Sequence, residues 1–124
     1  MSEIHFLNID LDIESQEDIR PIVHFWGEEV MIFRLEEIEG TWRGSFETSE
    51  DTENDIVDKY HQLIMSLPPN LRAIWDGCIK RIFDFGFEAG SLPRAFQSSL
   101  SQSSISKLAE IGGAITVTIY ASAD

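Results

Sequence analysis

The chain has 124 residues, 22 acidic and 9 basic side chains, and a formal net charge of -13. Its 43% apolar content is that of a folded domain, and the length suits one domain with one core. The apolar fraction excludes a disordered tail, and the acidity opposes direct contact with phosphate backbones or anionic lipid.

The elements follow in chain order. Residues 4–13 alternate from Leu7, with Leu7, Ile9, Leu11 and Ile13 on one face and Asn8, Asp10 and Asp12 on the other. That period of two predicts a strand with one wet face. Ser15, Glu17 and Asp18 suit a helix start, and Ile19, Ile22, Val23 and Trp26 form a helical stripe. Pro21 places the start near Asp18, because proline is tolerated in a first turn, and Gly27 ends the helix. Val30 to Leu35 reads as a second strand. Thr41 to Thr48 reads as a third, with Trp42 and Phe46 on one face and Arg43, Ser45 and Glu47 on the other. The link Glu36-Glu37-Ile38-Glu39-Gly40 has the length and glycine of a hairpin.

The polar loop Ser49 to Asn54 precedes a helix with Ile56, Tyr60, Leu63, Ile64 and Leu67 on one face, stopped by Pro68-Pro69. Tyr60 is expected to present its hydroxyl at the core edge. Asn70 is expected to cap a short helix bearing Leu71, Ile74, Trp75 and Cys78. Residues 82–88 predict a strand with Phe83, Phe85 and Phe87 inward. Gly90 to Ser99 reads as a loop anchored by Phe96 or Leu100. Ser101 to Ile111 predicts a helix with Ile105, Leu108 and Ala109 inward, closed by Gly112-Gly113. Ala114 to Tyr120 predicts a last strand with Ile115, Val117 and Ile119 on one face. The order is β-α-β-β-α-α-β-α-β. It predicts a single α+β domain over residues 1–124, with about five strands in an antiparallel or mixed sheet and three to four helices packed on one face.

Candidate chemistry is sparse. His5, His24 and His61 fall on separate elements, and no metal-ligand spacing such as CxxC or HExxH occurs, so no metal and no cofactor is expected. Cys78 lies on an apolar helical stripe and reads as a core residue. The single cysteine excludes an intramolecular disulfide. With no basic n-region or long apolar run at the N-terminus, the expected location is cytoplasmic. No nucleophile elbow, dinucleotide fingerprint or phosphate loop is present.

The charge distribution is the most informative feature. Residues 1–58 carry 17 acids and 3 bases, whereas residues 59–124 carry 5 acids and 6 bases. The densest run is Glu47, Glu50, Asp51, Glu53, Asp55 and Asp58, with no base among them. Glu36, Glu37 and Glu39 at the hairpin turn are further members of a candidate partner-binding patch. Clustered like charge costs self-repulsion in the folded state, and it speeds encounter with a basic protein.

The chain resembles, in kind, the small acidic bacterial immunity proteins that neutralise secreted or contact-delivered toxins. It shares their single small domain, cytosolic composition, acidity and lack of catalytic motifs. The segments LPPNLRAIWDGC (67–78) and FDFGFEAG (83–90) are similar to segments of uncharacterised bacterial proteins of like length. The resemblance implies a non-enzymatic inhibitor of a basic protein toxin, a nuclease above all, with carboxylates occluding the toxin's phosphate-binding surface. The acidity argues against a nucleic-acid or membrane partner. Two other classes fit the same residues: an adaptor module that binds without inhibiting, and a small enzyme using a carboxylate or Cys78.

Overall fold

The computed structural model of the chain describes residues 2–122. Its elements are β1 (His5–Ser15), α1 (Arg20–Trp26), β2 (Met31–Ile38), β3 (Thr41–Glu47), α2 (Glu53–Met65), α3 (Pro69–Asp76), β4 (Lys80–Glu88), α4 (Gln102–Glu110) and β5 (Ala114–Tyr120), with a 3-10 turn at Gly27–Glu29. The fold is α+β, and the element order is the one that the periodicities predict.

The five strands form one sheet in the order β2-β3-β1-β4-β5. All neighbours are antiparallel except β4 and β5, so the sheet is mixed. The parallel pair requires a crossover, which residues 89–101 and α4 supply. The β2–β3 hairpin turns through Glu39 (φ 53°) and Gly40 (φ 81°), between the paired residues Ile38 and Thr41. Two consecutive positive φ values give the turn whose twist matches the flanking strands.

Alternation divides the sheet into two faces. Ile9, Leu11 and Ile13 of β1, Phe46 of β3, and Phe83 and Phe85 of β4 are buried beneath the helices. Trp26 packs edge-on against Phe46 and Trp75, with centroids 5.6 and 6.4 Å apart. Both buried indoles find acceptors: Trp26 Nε1 donates to Leu63 O at 3.1 Å and Trp75 Nε1 to Ile111 O at 2.9 Å. Arg81 ties two turns together. Its Nε donates to Gly112 O at 2.9 Å, and one terminal nitrogen donates to the carbonyls of Trp75, Asp76 and Cys78. Asn54 Oδ1 accepts from Ser101 N and Ser104 Oγ, which joins the starts of α2 and α4.

Several local expectations need correction. Leu7 is 44% exposed because the β1–β4 register shifts between Phe6 and Asn8; Phe6 takes the inward role and packs edge-on against Phe87. Ile105 and Ala109 face solvent, and the buried stripe of α4 is Ser104 and Leu108, continued by Ile111. Ser104 turns inward because its hydroxyl has Asn54 as a partner. Asn70 lies inside α3, not at its cap; Pro68 is the N-cap and Pro69 the first residue, where proline's missing N–H costs nothing. Strand β2 continues to Ile38 and includes Glu36 and Glu37.

Tyr60 departs most from expectation. Its hydroxyl is buried, 3.0 Å from Phe46 O and 3.2 Å from Ile9 O, and it shares its proton between carbonyls of two strands. The pairing of β1 with β3 ends at Leu11 and Phe46, so the hydroxyl bridges the strands where the ladder stops. Tyr60→Phe removes the donor that both carbonyls share. The expected cost is about 1–3 kcal/mol, read as a lower urea midpoint at unchanged slope.

Candidate functional site

The side of the sheet away from the helices is polar. On β1 it presents Asn8, Asp10, Asp12 and Glu14. On β3 it presents Arg43, Ser45 and Glu47, and on β4 Lys80, Ile82 and Asp84. Register sets these residues in cross-strand rows. Asp10 is opposite Asp84, and Glu47, one position beyond the Leu11–Phe46 pair, flanks Asp10 on its other side. Three carboxylates therefore cross the centre of the face in line. Asp12 is one step along β1's wet face, opposite Ser45 and Ile82.

Like charges directly opposite one another destabilise a strand pair. Partial burial pushes the Asp10 carboxyl up to about 6, and the neighbouring Glu47, Asp12 and Asp84 push the same way. Hydrogen bonds hold the row in place without neutralising it. Asn8 Nδ2 donates to Glu47, Ser45 Oγ donates to Asp12, and Thr118 Oγ1 donates to Asp84 at 2.7 Å. Among the described residues, no lysine or arginine forms an ion pair with Asp10, Asp12, Glu47 or Asp84.

Four positions along β1 from Asp10 the pattern reverses. Glu14 lies between Arg43 and Lys80, with nitrogen–oxygen separations of 3.5 and 3.8 Å. Arg34, Arg43 and Lys80 line a shallow depression of about 270 Å³ together with Asp12, Glu14 and Ser45. The Arg43–Glu14 contact is an ion pair without hydrogen-bond geometry, and Arg43 Nε has no hydrogen-bond partner. The face is thus acidic at its centre and mixed in charge at one end.

The nine carboxylates of the candidate patch do not form one surface. Glu47 ends β3, Asp51 lies in the following loop, and Glu53, Asp55 and Asp58 lie on the first turns of α2. Glu50 sits in the same loop with one carboxylate oxygen buried and unpartnered. Glu53 accepts from Ser98, and Asp58 pairs with Lys107 at 2.7 Å. Glu36, Glu37 and Glu39 lie at the opposite end of β3, beside the hairpin turn. Glu36 and Glu37 pair with Arg43 and Trp42, four and five residues along β3 from Glu47, and Glu39 lies beyond in the turn, so the two groups are about 13–20 Å apart. Glu36 is also paired with Arg34. Asp10, Asp12 and Asp84 were not candidates from sequence, although β1's polar alternation marked two of them as exposed.

The remaining candidates lie apart from the central carboxylate row. Cys78 is buried, and burial pushes its thiol up to about 11, so the nucleophilic thiolate is suppressed. His61 contacts Glu110 at 2.8 Å and His5 lies 3.9 Å from Glu88. No cluster of three or more His, Cys, Asp or Glu among the described residues has the arrangement of a metal site. No helix among them is long and apolar enough to cross a membrane. No family model, curated protein or solved structure matches the chain.

The raised Asp10 carboxyl has a stability consequence with a definite sign. The folded state holds this proton up to about pH 6, and the unfolded chain releases it near 3.8. The charged carboxylate therefore costs stability above about pH 6, and the cost disappears as pH falls towards the unfolded value. Full linkage over that interval is about 3 kcal/mol, and solvent screening of a half-buried group reduces it to the order of 1 kcal/mol. Asp10→Asn is expected to stabilise the protein by about that amount at neutral pH, and by progressively less as the solution is acidified. Urea unfolding of both proteins across that pH range reads the difference.

Proposed function

We propose that this protein is an inhibitory binding protein of the immunity type, which neutralises a basic protein toxin by covering its functional surface with carboxylates. The supporting observation is the unneutralised row Glu47–Asp10–Asp84 at the centre of the helix-free face. A row whose charges repel one another is poorly suited to stability alone. A cationic partner converts that repulsion into attraction on binding, which favours encounter and specificity. Glu47 is the link between this row and the run of Glu50, Asp51, Glu53, Asp55 and Asp58. The acidic surface of the proposal therefore continues around the end of β3 onto the start of α2. A nuclease is the toxin class favoured by charge, because an enzyme acting on a polyanion presents a basic groove. Inhibition is by occlusion and involves no turnover.

The test is affinity capture from the source organism's lysate, washed at low and high salt, followed by a toxicity rescue assay on the captured protein. The expected partner is basic, stoichiometric and released by salt, and co-expression with this chain abolishes its toxicity. The triple variant Asp10→Asn, Glu47→Gln and Asp84→Asn is expected to lose the partner while gaining stability at neutral pH. Charge reversal across Glu47, Glu50, Asp51, Glu53, Asp55 and Asp58 is likewise expected to abolish binding. Affinity that survives both sets at physiological salt rules out the acidic surface as the site.

A further inference from the structure

The two edges of the sheet differ. Strand β2 forms one edge, and it carries Arg34, Glu36 and Glu37 with a register irregularity between Ile32 and Arg34. Charges and bulges are the usual guards of an edge strand. Strand β5 forms the other edge with the sequence AITVTIY, which holds no charge and no proline, and its pairing to β4 is regular throughout. On the helix side Ile115, Val117 and Ile119 are 49%, 57% and 66% exposed. They border an apolar groove of about 180 Å³ whose lining includes Phe85, Phe87 and Leu100.

We propose that β5 is the contact of a symmetric dimer, in which two copies of this chain pair β5 antiparallel across a two-fold axis at Val117. The occupant is a second copy because the strand is complementary to itself. Residues 115–119 read Ile-Thr-Val-Thr-Ile, a palindrome about Val117. A two-fold axis there sets Ile115 opposite Ile119 of the second copy, Thr116 opposite its Thr118, and Val117 opposite its equivalent. Isologous contacts require this reciprocity. β-Branched pairs on one face and threonine pairs on the other are favourable cross-strand neighbours.

The backbone has the matching phase. Ala89 N donates to Tyr120 O at 2.9 Å, so the amide groups of Tyr120, and of alternate residues before it, face β4. Those of Ile115, Val117 and Ile119 face outward. A two-fold axis at Val117 therefore creates hydrogen-bonded pairs at 117–117, 115–119 and 119–115, which is three two-bond exchanges. The axis is perpendicular to the sheet, and both helix layers stay on one side of a continuous ten-stranded sheet. The three exposed apolar side chains of each copy then meet in one row between the helix layers.

Charge sets the conditions for assembly. Each copy carries a formal charge of -13, so two copies repel at long range. The contact strand itself is uncharged. The two Asp84 carboxylates stand three strand spacings apart, about 14 Å, which exceeds the screening length of about 8 Å at physiological ionic strength. Added salt therefore strengthens the dimer, opposite to its effect on a basic partner.

Sedimentation equilibrium at about 100 μM protein tests this, at roughly 0.01 M and 0.15 M salt, spanning weak and strong screening. The expected mass is twice the 14.1 kDa of one chain at the higher salt, with a shift towards monomer at the lower. Val117→Lys places two ammonium groups opposite each other at the axis and is expected to weaken association roughly 100-fold or more. At protein concentrations low enough that both chains are monomeric its thermal midpoint should match the wild type's, since Val117 is an exposed side chain in the monomer. As a second probe, Val117→Cys is expected to form a disulfide-linked dimer under mild oxidation, because Cα atoms of a hydrogen-bonded pair lie about 5.5 Å apart, within disulfide reach. A cysteine at the exposed Ile105 of α4 should not cross-link. A monomeric wild type at both salts overturns the proposal. So does a dimer that Val117→Lys leaves intact, or equal cross-linking from positions 105 and 117.

Discussion

The position of the acidic face depends on one buried hydroxyl. Strands β1 and β3 pair from Ser15–Trp42 as far as Leu11–Phe46, and Tyr60 meets the carbonyls of Ile9 and Phe46 at that end. Its ring packs edge-on against Phe83 of β4, with centroids 5.4 Å apart. One side chain of α2 thus touches three neighbouring strands, and α2 cannot slide along the sheet without leaving buried carbonyls unpaired. On the opposite face, Glu47 and Asp10 sit at the same level of the sheet. Tyr60 thus meets the sheet at the level where the chain leaves β3 at Glu47 for the acidic loop and the helix start.

A row of opposed carboxylates is tolerable because the rest of the sheet is well provided. Beneath it lies a core of isoleucine and phenylalanine side chains with paired indole and phenol groups. Four positions along β1 from Asp10, the Arg43–Glu14–Lys80 row has alternating sign, so the repulsion is local. A surface built only for solubility would more often distribute its charge, as the second half of this chain does. The raised carboxyl of Asp10 expresses the same local imbalance in a single group. A partner that supplies cations at this row gains an attraction that the free protein leaves unused.

Much of the fold was legible because local periodicity carries it. Period-two alternation marked β1, β3, β4 and β5, and helical spacing marked α1, α2 and α3. The departures arise where one tertiary contact outweighs a local pattern. Leu7 fits the alternation, but the register shift after Phe6 turns it outward. Ile105 fits a helical stripe, but the Ser104–Asn54 hydrogen bond rotates the buried face of α4 by one residue. Tyr60 is an ordinary amphipathic position until the strand carbonyls beside it are known. The candidate patch was less legible than the fold. Its dense run was found from composition, and the hairpin carboxylates were joined to it although four or more residues of β3 lie between them. The Asp10–Asp84 opposition depends on pairing residues 74 positions apart in the chain, and local pattern contains no strand order.

The two surfaces are geometrically independent, which gives them a joint consequence. A two-fold axis perpendicular to the sheet puts both acidic faces on one side of the assembly. From β1 of one copy to β1 of the other there are five strand spacings, about 24 Å, well beyond the screening length at physiological salt. Each face can therefore hold its own partner without the other weakening its field. Pairing through β5 leaves Glu47, Asp10 and Asp84 uncovered, because the edge contacts lie in the plane of the sheet. If both proposals hold, salt acts on the two contacts in opposite directions: it would release a cationic partner by screening attraction and favour the homodimer by screening repulsion.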